Sequence, residues 1–343
     1  MLIRSPLNNF DVVDLTSAVR NLPIQYGTFN TMGIFAEEGV ASDVVVFEET
    51  TQNGALIVDR VRGEKNTVSK DGTRKLHSFN VGHYPQDDYI TPKDLQNKSA
   101  YDNFNEVEQL QKVQMRKLER LRQNHDWTLN KARAQALFSA TAYAPSGTIS
   151  QNWNTEFGVS RTAVDFVLGT PTTEILAKIE LVIAAIYDGM AGENYNGIVV
   201  PCDTAFFNAL IIHPLVKDAY RSFTSIQAGL DPMRSRLAAG GSPLPNGREF
   251  FFGGLTFKEV RDSYNGTKIV TASEGVAVPT GSDMFKTYFA PAERFGLVNT
   301  AGEKMYAFQQ ADQNGTKINI ETESNHISAL LRPQAVIRCY TSN

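Results

Sequence analysis

The residues of this chain that could do chemistry are five histidines, two cysteines and a scatter of carboxylates and lysines. An imidazole acts as a general base or a metal ligand only when a second group stands within reach of it. His77, His83, His125, His213 and His326 lie beyond helical reach of one another. His77 and His83 also lack a nearby cysteine or paired carboxylate at ligand spacing, so all five read as loop or core histidines. Asp87-Asp88 is a lone acidic pair just ahead of a helix start, where negative charge is favourable in any case. Cys202 and Cys339 make no disulfide framework; two buried free thiols are the expected state, with a bridge between them left open. Asn265-Gly266-Thr267 and Asn314-Gly315-Thr316 match a glycosylation sequon but read as turns, since Asn-Gly is a turn dipeptide. There is no phosphate-cradling G-x-x-x-x-G-K-[ST] loop, no G-x-G-x-x-G, no G-x-S-x-G elbow and no H-E-x-x-H helix. The sequence therefore offers no catalytic residue, no cofactor-binding residue and no metal ligand, and the chain is expected not to be an enzyme.

Composition bounds the remaining classes. The chain has 343 residues, 42% hydrophobic and 20% charged, enough for one large or two ordinary domains with real cores. A net charge of −4 argues against bulk DNA binding, which needs a basic excess to displace phosphate counterions. Residues 1–20 show no signal-peptide core, and no stretch nears the roughly 20 apolar residues of a membrane span. The expectation is a soluble protein made in the cytoplasm, with no membrane partner.

The elements that must position these residues are unusual. In residues 1–35 the hydrophobics are scattered, so this arm must lie on something else. Val40–Glu49 reads as a strand, and Ala55–Val61 as a second one after the hairpin signal Asn53-Gly54. Residues 62–75 are polar, with a turn at Asp71-Gly72, and Leu76–Val81 reads as a return strand. Extended segments with a charged tip and little core material form a projecting loop whose edges need a neighbour. Thr91 and Pro92 then open a helix, and no proline or glycine interrupts the chain from Asp94 to about Ala142. Phe104, Val107, Leu110, Val113, Leu118 and Leu121 form one apolar stripe, the pattern of a spine helix carrying a sheet. The basic run from Lys112 to Arg122 reads as a solvated face, with weak nucleic-acid contact as the rival. Beyond Pro145-Ser146-Gly147 the texture becomes mixed α/β. A helix over 173–191 turns Leu176, Ile179, Ile183 and Ile186 inward, Gly197–Cys202 is a buried strand, and 203–212 is helix. Two strands then flank Gly253-Gly254, and extended segments follow at Ile318–Glu323 and Ala335–Arg338.

Several of these segments resemble one family. The run from Phe79 to Ile90, Asp94-Leu95-Gln96 leading into the long helix, Phe252–Phe257, Val278-Pro279 with Gly281, Tyr288–Pro291, Val298–Glu303, Ile320–Asn325 and Leu331–Val336 are similar to the major capsid protein E family of tailed bacteriophages, which includes lambda-type head proteins. The resemblance implies an α+β chain with the Hong Kong-type phage capsid fold. It implies an N-terminal arm (1–45), an extended β-loop (46–90), a peripheral domain with the spine helix (91–150), an axial domain (151–300) and a return to the peripheral domain (301–343). It further implies self-assembly into an icosahedral shell through hexamers and pentamers, with a scaffolding protein, a portal and a decoration protein as partners. Weak contact with packaged double-stranded DNA is implied as well. Some relatives join loop lysines to a neighbour's asparagine. Lys65 and Lys70 lie at this loop's tip, but no acceptor and carboxylate catalyst match, so no crosslink is expected. Thr91-Pro92 is expected to flex during maturation. The rival readings are an encapsulin-like nanocompartment shell and a small soluble α+β enzyme or binding module.

Overall fold

A computed structural model describes residues 13–16, 19, 27–51, 73–96, 106–147, 151–224, 248–312 and 314–342. After a short strand β1 (Val13–Asp14) and helix α1 (Thr28–Thr31) come β2 (Ala36–Gly39), β3 (Val44–Thr51), β4 (Thr73–Asn80) and β5 (Gly82–Ile90). Helices α2 (Pro92–Gln96), α3 (Glu106–Ser139) and α4 (Trp153–Glu156) follow, then β6 (Ala163–Asp165), α5 (Ile175–Met190), β7 (Gly197–Asp203), α6 (Thr204–Ile212) and α7 (Pro214–Thr224). The remainder is β8 (Glu249–Phe252), β9 (Leu255–Val260), β10 (Ser263–Tyr264), β11 (Thr267–Lys268), β12 (Glu274–Thr280), β13 (Phe285–Phe289), β14 (Tyr306–Ala311), β15 (Ile318–Leu330) and β16 (Ile337–Tyr340). No helix among the described residues is long and apolar enough to cross a membrane.

Two six-stranded sheets organise the molecule. The first runs β1-β14-β15-β13-β2, with β5 also pairing along β15. The second runs β6-β16-β12-β7-β9-β8, mixing parallel and antiparallel neighbours. The chain thus rejoins the first sheet at Phe285, and its last strand lies in the second sheet. The β3–β4 pair stands apart as a two-stranded ribbon, in register from Val44↔Asn80 to Thr51↔Thr73. The expected strand Ala55–Val61 and the turns at Asn53-Gly54 and Asp71-Gly72 lie outside the described residues.

Of the helix expected from Asp94 to about Ala142, the described residues hold α2 and the 34-residue α3, which ends at Ser139, and 97–105 lie outside the described residues. At 1.5 Å per residue α3 is about 50 Å long. Its far end is set by Ala140, whose φ of 53° is left-handed and ends the helical hydrogen-bonding pattern. Only its first half is the amphipathic spine read from sequence, with Val113, Leu118 and Leu121 seated against Ile90, Met305 and Ile320. Its second half is enclosed nearly all round, and Ala134, Ala136 and Leu137 are wholly buried. In α5 the inward stripe is Ile175, Ile179, Val182 and Ile186. Leu176, expected inward, is 50% exposed. The stripe starts one residue earlier, at helical steps of four, three and four, which turns Leu176 outward.

Both cysteines are free and buried. Cys202 on β7 and Cys339 on β16 each pair with Gly275 of the intervening β12. Two strand spacings part their backbones by about 10 Å, too far for a disulfide. Gly275 is required there, because a Cβ on it would sit 2.8 Å from the Cys202 Cβ.

Candidate functional site

The ribbon is asymmetric because strand side chains alternate faces. Its inner face carries Val45, Phe47, His77 and Phe79, which root it in the body. The Phe47 ring lies tilted at 5.2 Å from both Phe79 and Tyr288, and Phe79 meets Trp153 edge-on at 4.9 Å. Its outer face carries Val46 and Leu76, 59% and 71% exposed, with the Glu48–Arg74 ion pair beside them. Neither long edge of the ribbon pairs with another strand among the described residues. An open, partly apolar ribbon of this kind is a template for association.

The chain reaches the ribbon through a tight clasp. β2 runs parallel to β13, the Val40 amide donates to the Phe289 carbonyl, and the Gly302 amide donates to the Val40 carbonyl. Gly302 permits this closeness, since a Cβ there would lie 2.1 Å from the Phe289 carbonyl oxygen. Beneath the clasp Arg133 is buried and donates to Glu37 at 2.8 Å, and Lys304 closes on the same carboxylate at 2.5 Å. Burial pushes the Glu37 carboxyl up, but the two cations outweigh it and hold it below the usual range. A second polar knot forms on Asp262, which accepts from the Thr28 amide, the Thr28 hydroxyl and the Asn130 amide. These two knots have no sequence signal, because their members lie more than ninety positions apart.

The basic run of the spine is largely engaged. Lys117 reaches Asp88 at 3.1 Å and the Tyr89 carbonyl at 2.7 Å; Arg120 reaches Asp88 at 2.6 Å. Arg122 faces Asp126 and donates to the Val19 carbonyl. Asp88 is buried enough to be pushed up, yet Lys117 and Arg120 bring its pKa below the ordinary value. Asp88, one of the acidic pair read as favourable at a helix start, is thus half of a strand-to-helix tie.

The histidines are dispersed. His83 meets Asn325 at 2.7 Å, His125 meets Thr322 at 3.0 Å, and His213 meets the Thr170 carbonyl at 3.1 Å. His326 is enclosed against the Tyr84 ring. Burial drives the His125 pKa down to about 4, and burial followed by the charges of Arg133 and His125 drives that of His326 down to about 3. Only His77 bridges carboxylates on two elements, Glu49 and Glu156. Among the described residues no group of three or more His, Cys, Asp or Glu side chains is placed to hold a metal ion. Lys65 and Lys70 lie outside the described residues.

A chain whose most distinctive surface is an association template matches, over residues 11–340, the family described as phage major capsid protein E. The chain belongs to this family. It is 39% identical to the major capsid protein of Pseudomonas phage KPP10, with 98% of each chain covered. It is 25% identical to the major capsid protein of Salmonella phage Felix O1, again with 98% of each covered. Among solved structures it is similar to the capsid of Myoviridae phage XM1, with a TM-score of 0.54 at 12% identity over 96% of this chain and 99% of that one. At that identity the likeness shows the fold alone, and the fold is the α+β phage capsid fold that the sequence resemblance implied. This capsid protein is a major capsid protein of tailed phages, a structural family whose place is the virion shell and whose members assemble with themselves.

Proposed function

We propose that this capsid protein builds an icosahedral shell by laying the outer face of the β3–β4 ribbon on a neighbouring copy. The observation that carries this reading is the ribbon's asymmetry: an inner face rooted in aromatic rings and an outer face with Val46 and Leu76 exposed. Subunit contacts of this kind are modest singly and strong in number. In the same reading the second sheet with α5 and α6 forms the axial domain, which gathers into hexamers and pentamers. The first sheet with α3 forms the peripheral domain; β13 is assigned to it and β16 to the axial domain, which refines the boundaries at 151, 300 and 301. Residues 1–45 serve as the arm and 46–90 as the extended loop, with Thr91-Pro92 as a flexing element during shell expansion.

Scaffolding protein, portal and a decoration protein are the further partners of this reading, and assembly takes place in the host cytoplasm. Contact with packaged DNA is weak, because Lys117, Arg120 and Arg122 are already tied to this chain's own carboxylates. The subunits remain uncrosslinked. Electron microscopy of the full chain, expressed alone and with its scaffold, should show closed shells; only small particles in both would overturn the proposal. Denaturing electrophoresis of mature shells should show one band near 37.9 kDa, and a ladder of multimers would contradict the uncrosslinked state.

A further inference from the structure

We propose that the cavity between α3 and the β10–β11 hairpin is a nucleotide-binding site, in which Trp127 and Tyr264 hold a base and Lys131 holds its phosphate. The cavity measures about 500 Å³ and is lined by Asn124, Trp127 and Lys131 of α3, Tyr264 and Asn265 of the hairpin, and Gln86 of β5. That volume lies within the range of small-ligand pockets. The Trp127 and Tyr264 ring centroids are 6.2 Å apart with their planes at 49°, an open wedge rather than a closed stack. Tyr264 is 58% exposed, so part of its ring is open to a partner. A flat base can lie on one ring with its edge toward the other. The side-chain amides of Gln86, Asn124 and Asn265 both donate and accept, which suits the mixed edge of a base.

The charge of the cavity points to an anion. Among the described residues that line it there are two lysines and no carboxylate, although the whole chain has a net charge of −4. Lys268 is already answered by the enclosed Asp203 at 2.5 Å. Lys131 is not: its Nζ donates to the Ile269 carbonyl at 3.2 Å, burial lowers its pKa, and no carboxylate offsets that. A partly buried ammonium without a counter-ion gains by taking a phosphate oxygen as partner. The frame is fixed before any ligand arrives. Asp262, at the foot of the hairpin, accepts from Thr28 and from Asn130 of α3. Asn265 and Gly266 take left-handed φ values of 47° and 76°, as a two-residue hairpin turn requires. A DNA duplex keeps its bases stacked inside, so the site suits a single strand or a free nucleotide. The weak contact proposed with packaged DNA stands apart from it.

Indole emission of unassembled full-length subunits tests this, separately from the ribbon's role in the shell. The chain has two tryptophans and Trp153 is wholly buried, so a ligand-dependent change reports Trp127. A thymidine oligonucleotide of about eight nucleotides should quench the emission, and a duplex of the same length should not. Thymidine monophosphate is the second probe: quenching by it as well assigns the site to a free nucleotide, and quenching by the oligonucleotide alone assigns it to a strand. Anisotropy of an end-labelled oligonucleotide then measures affinity. Tyr264→Ala, at an exposed ring, should weaken binding about tenfold and leave its salt dependence unchanged. Lys131→Gln should weaken binding and lower the slope of log affinity against log salt by about 0.7, one phosphate's share in a single strand. Arg116→Gln, at an exposed position about 16 Å away along α3, should leave binding unchanged. No quenching by either single-stranded probe, equal quenching by the duplex, or wild-type affinity in Tyr264→Ala or Lys131→Gln would overturn the site. A loss in Arg116→Gln equal to that in Lys131→Gln would overturn it too, because it marks general attraction to charge.

Discussion

The ribbon and the second sheet draw on similar residue types and place them differently. On the second sheet Val200, Phe257, Val276 and Val278 are wholly buried, so its central strands β7, β9 and β12 are closed into the core. On the ribbon only one face is covered, and the other leaves Val46 and Leu76 open. A monomer gains nothing by presenting valine and leucine beside an unpaired strand edge, and it incurs a risk of uncontrolled association. The difference separates residues that hold the subunit together from residues available to hold subunits to one another. Changes in the first set should lower stability and changes in the second should lower assembly.

Phe257→Ala should give the largest stability loss, about 3–5 kcal/mol for an emptied aromatic site in a closed core. Calorimetry of subunits should show a clear fall in melting temperature; a negligible fall would mean the second sheet is looser than described. Acid is the next largest perturbation. His125 and His326 have folded pKa values of about 4 and about 3, below the 6.5 of the free side chain. The unfolded chain therefore binds protons that the body refuses, and stability present above about pH 6.5 is lost as the pH falls toward 4. Asp126 acts in the opposite sense, since burial raises its pKa to about 6 over the pull of Arg122 and Lys304. The two histidine shifts together outweigh that of Asp126, so the net acid loss should shrink in His326→Gln. A melting temperature flat from pH 7 to 4 in the wild type would contradict the buried neutral imidazoles. The body thus loosens in acid.

A smaller loss, about 1–3 kcal/mol, is expected for Gly302→Ala, whose new methyl must push the Phe289 carbonyl aside. An unchanged melting temperature there would mean the clasp opens freely. The smallest effect on stability belongs to the Val46→Ser, Leu76→Ser pair, within about 0.5 kcal/mol. That same pair should sharply reduce the yield of closed shells in a sedimentation assay. Full shell yield would remove the outer face from the assembly account.

The sequence reading succeeded where one segment carries its own pattern. Gly197–Cys202, the strands either side of Gly253-Gly254 and the α5 helix are contiguous signals, and each is found close to where it was read. Absence of proline and glycine between Asp94 and Ala142 bounded a helix only loosely, because it forbids a break without requiring helix. The site was less legible. Glu49, His77 and Glu156 are brought together across separations of 28 and 79 residues, and no local spacing foretells that. Arg133 carries no signal of its own in the sequence; only the folded clasp shows it buried against Glu37. The resemblance identified the fold and the role, while the pairing that fixes the ribbon is a tertiary property.

The central claim is that the ribbon's outer face is a contact between copies. A cryo-electron microscopy reconstruction of closed shells tests it most directly. The account predicts Val46 and Leu76 buried against a neighbouring subunit. Shells in which both side chains still face solvent would contradict it.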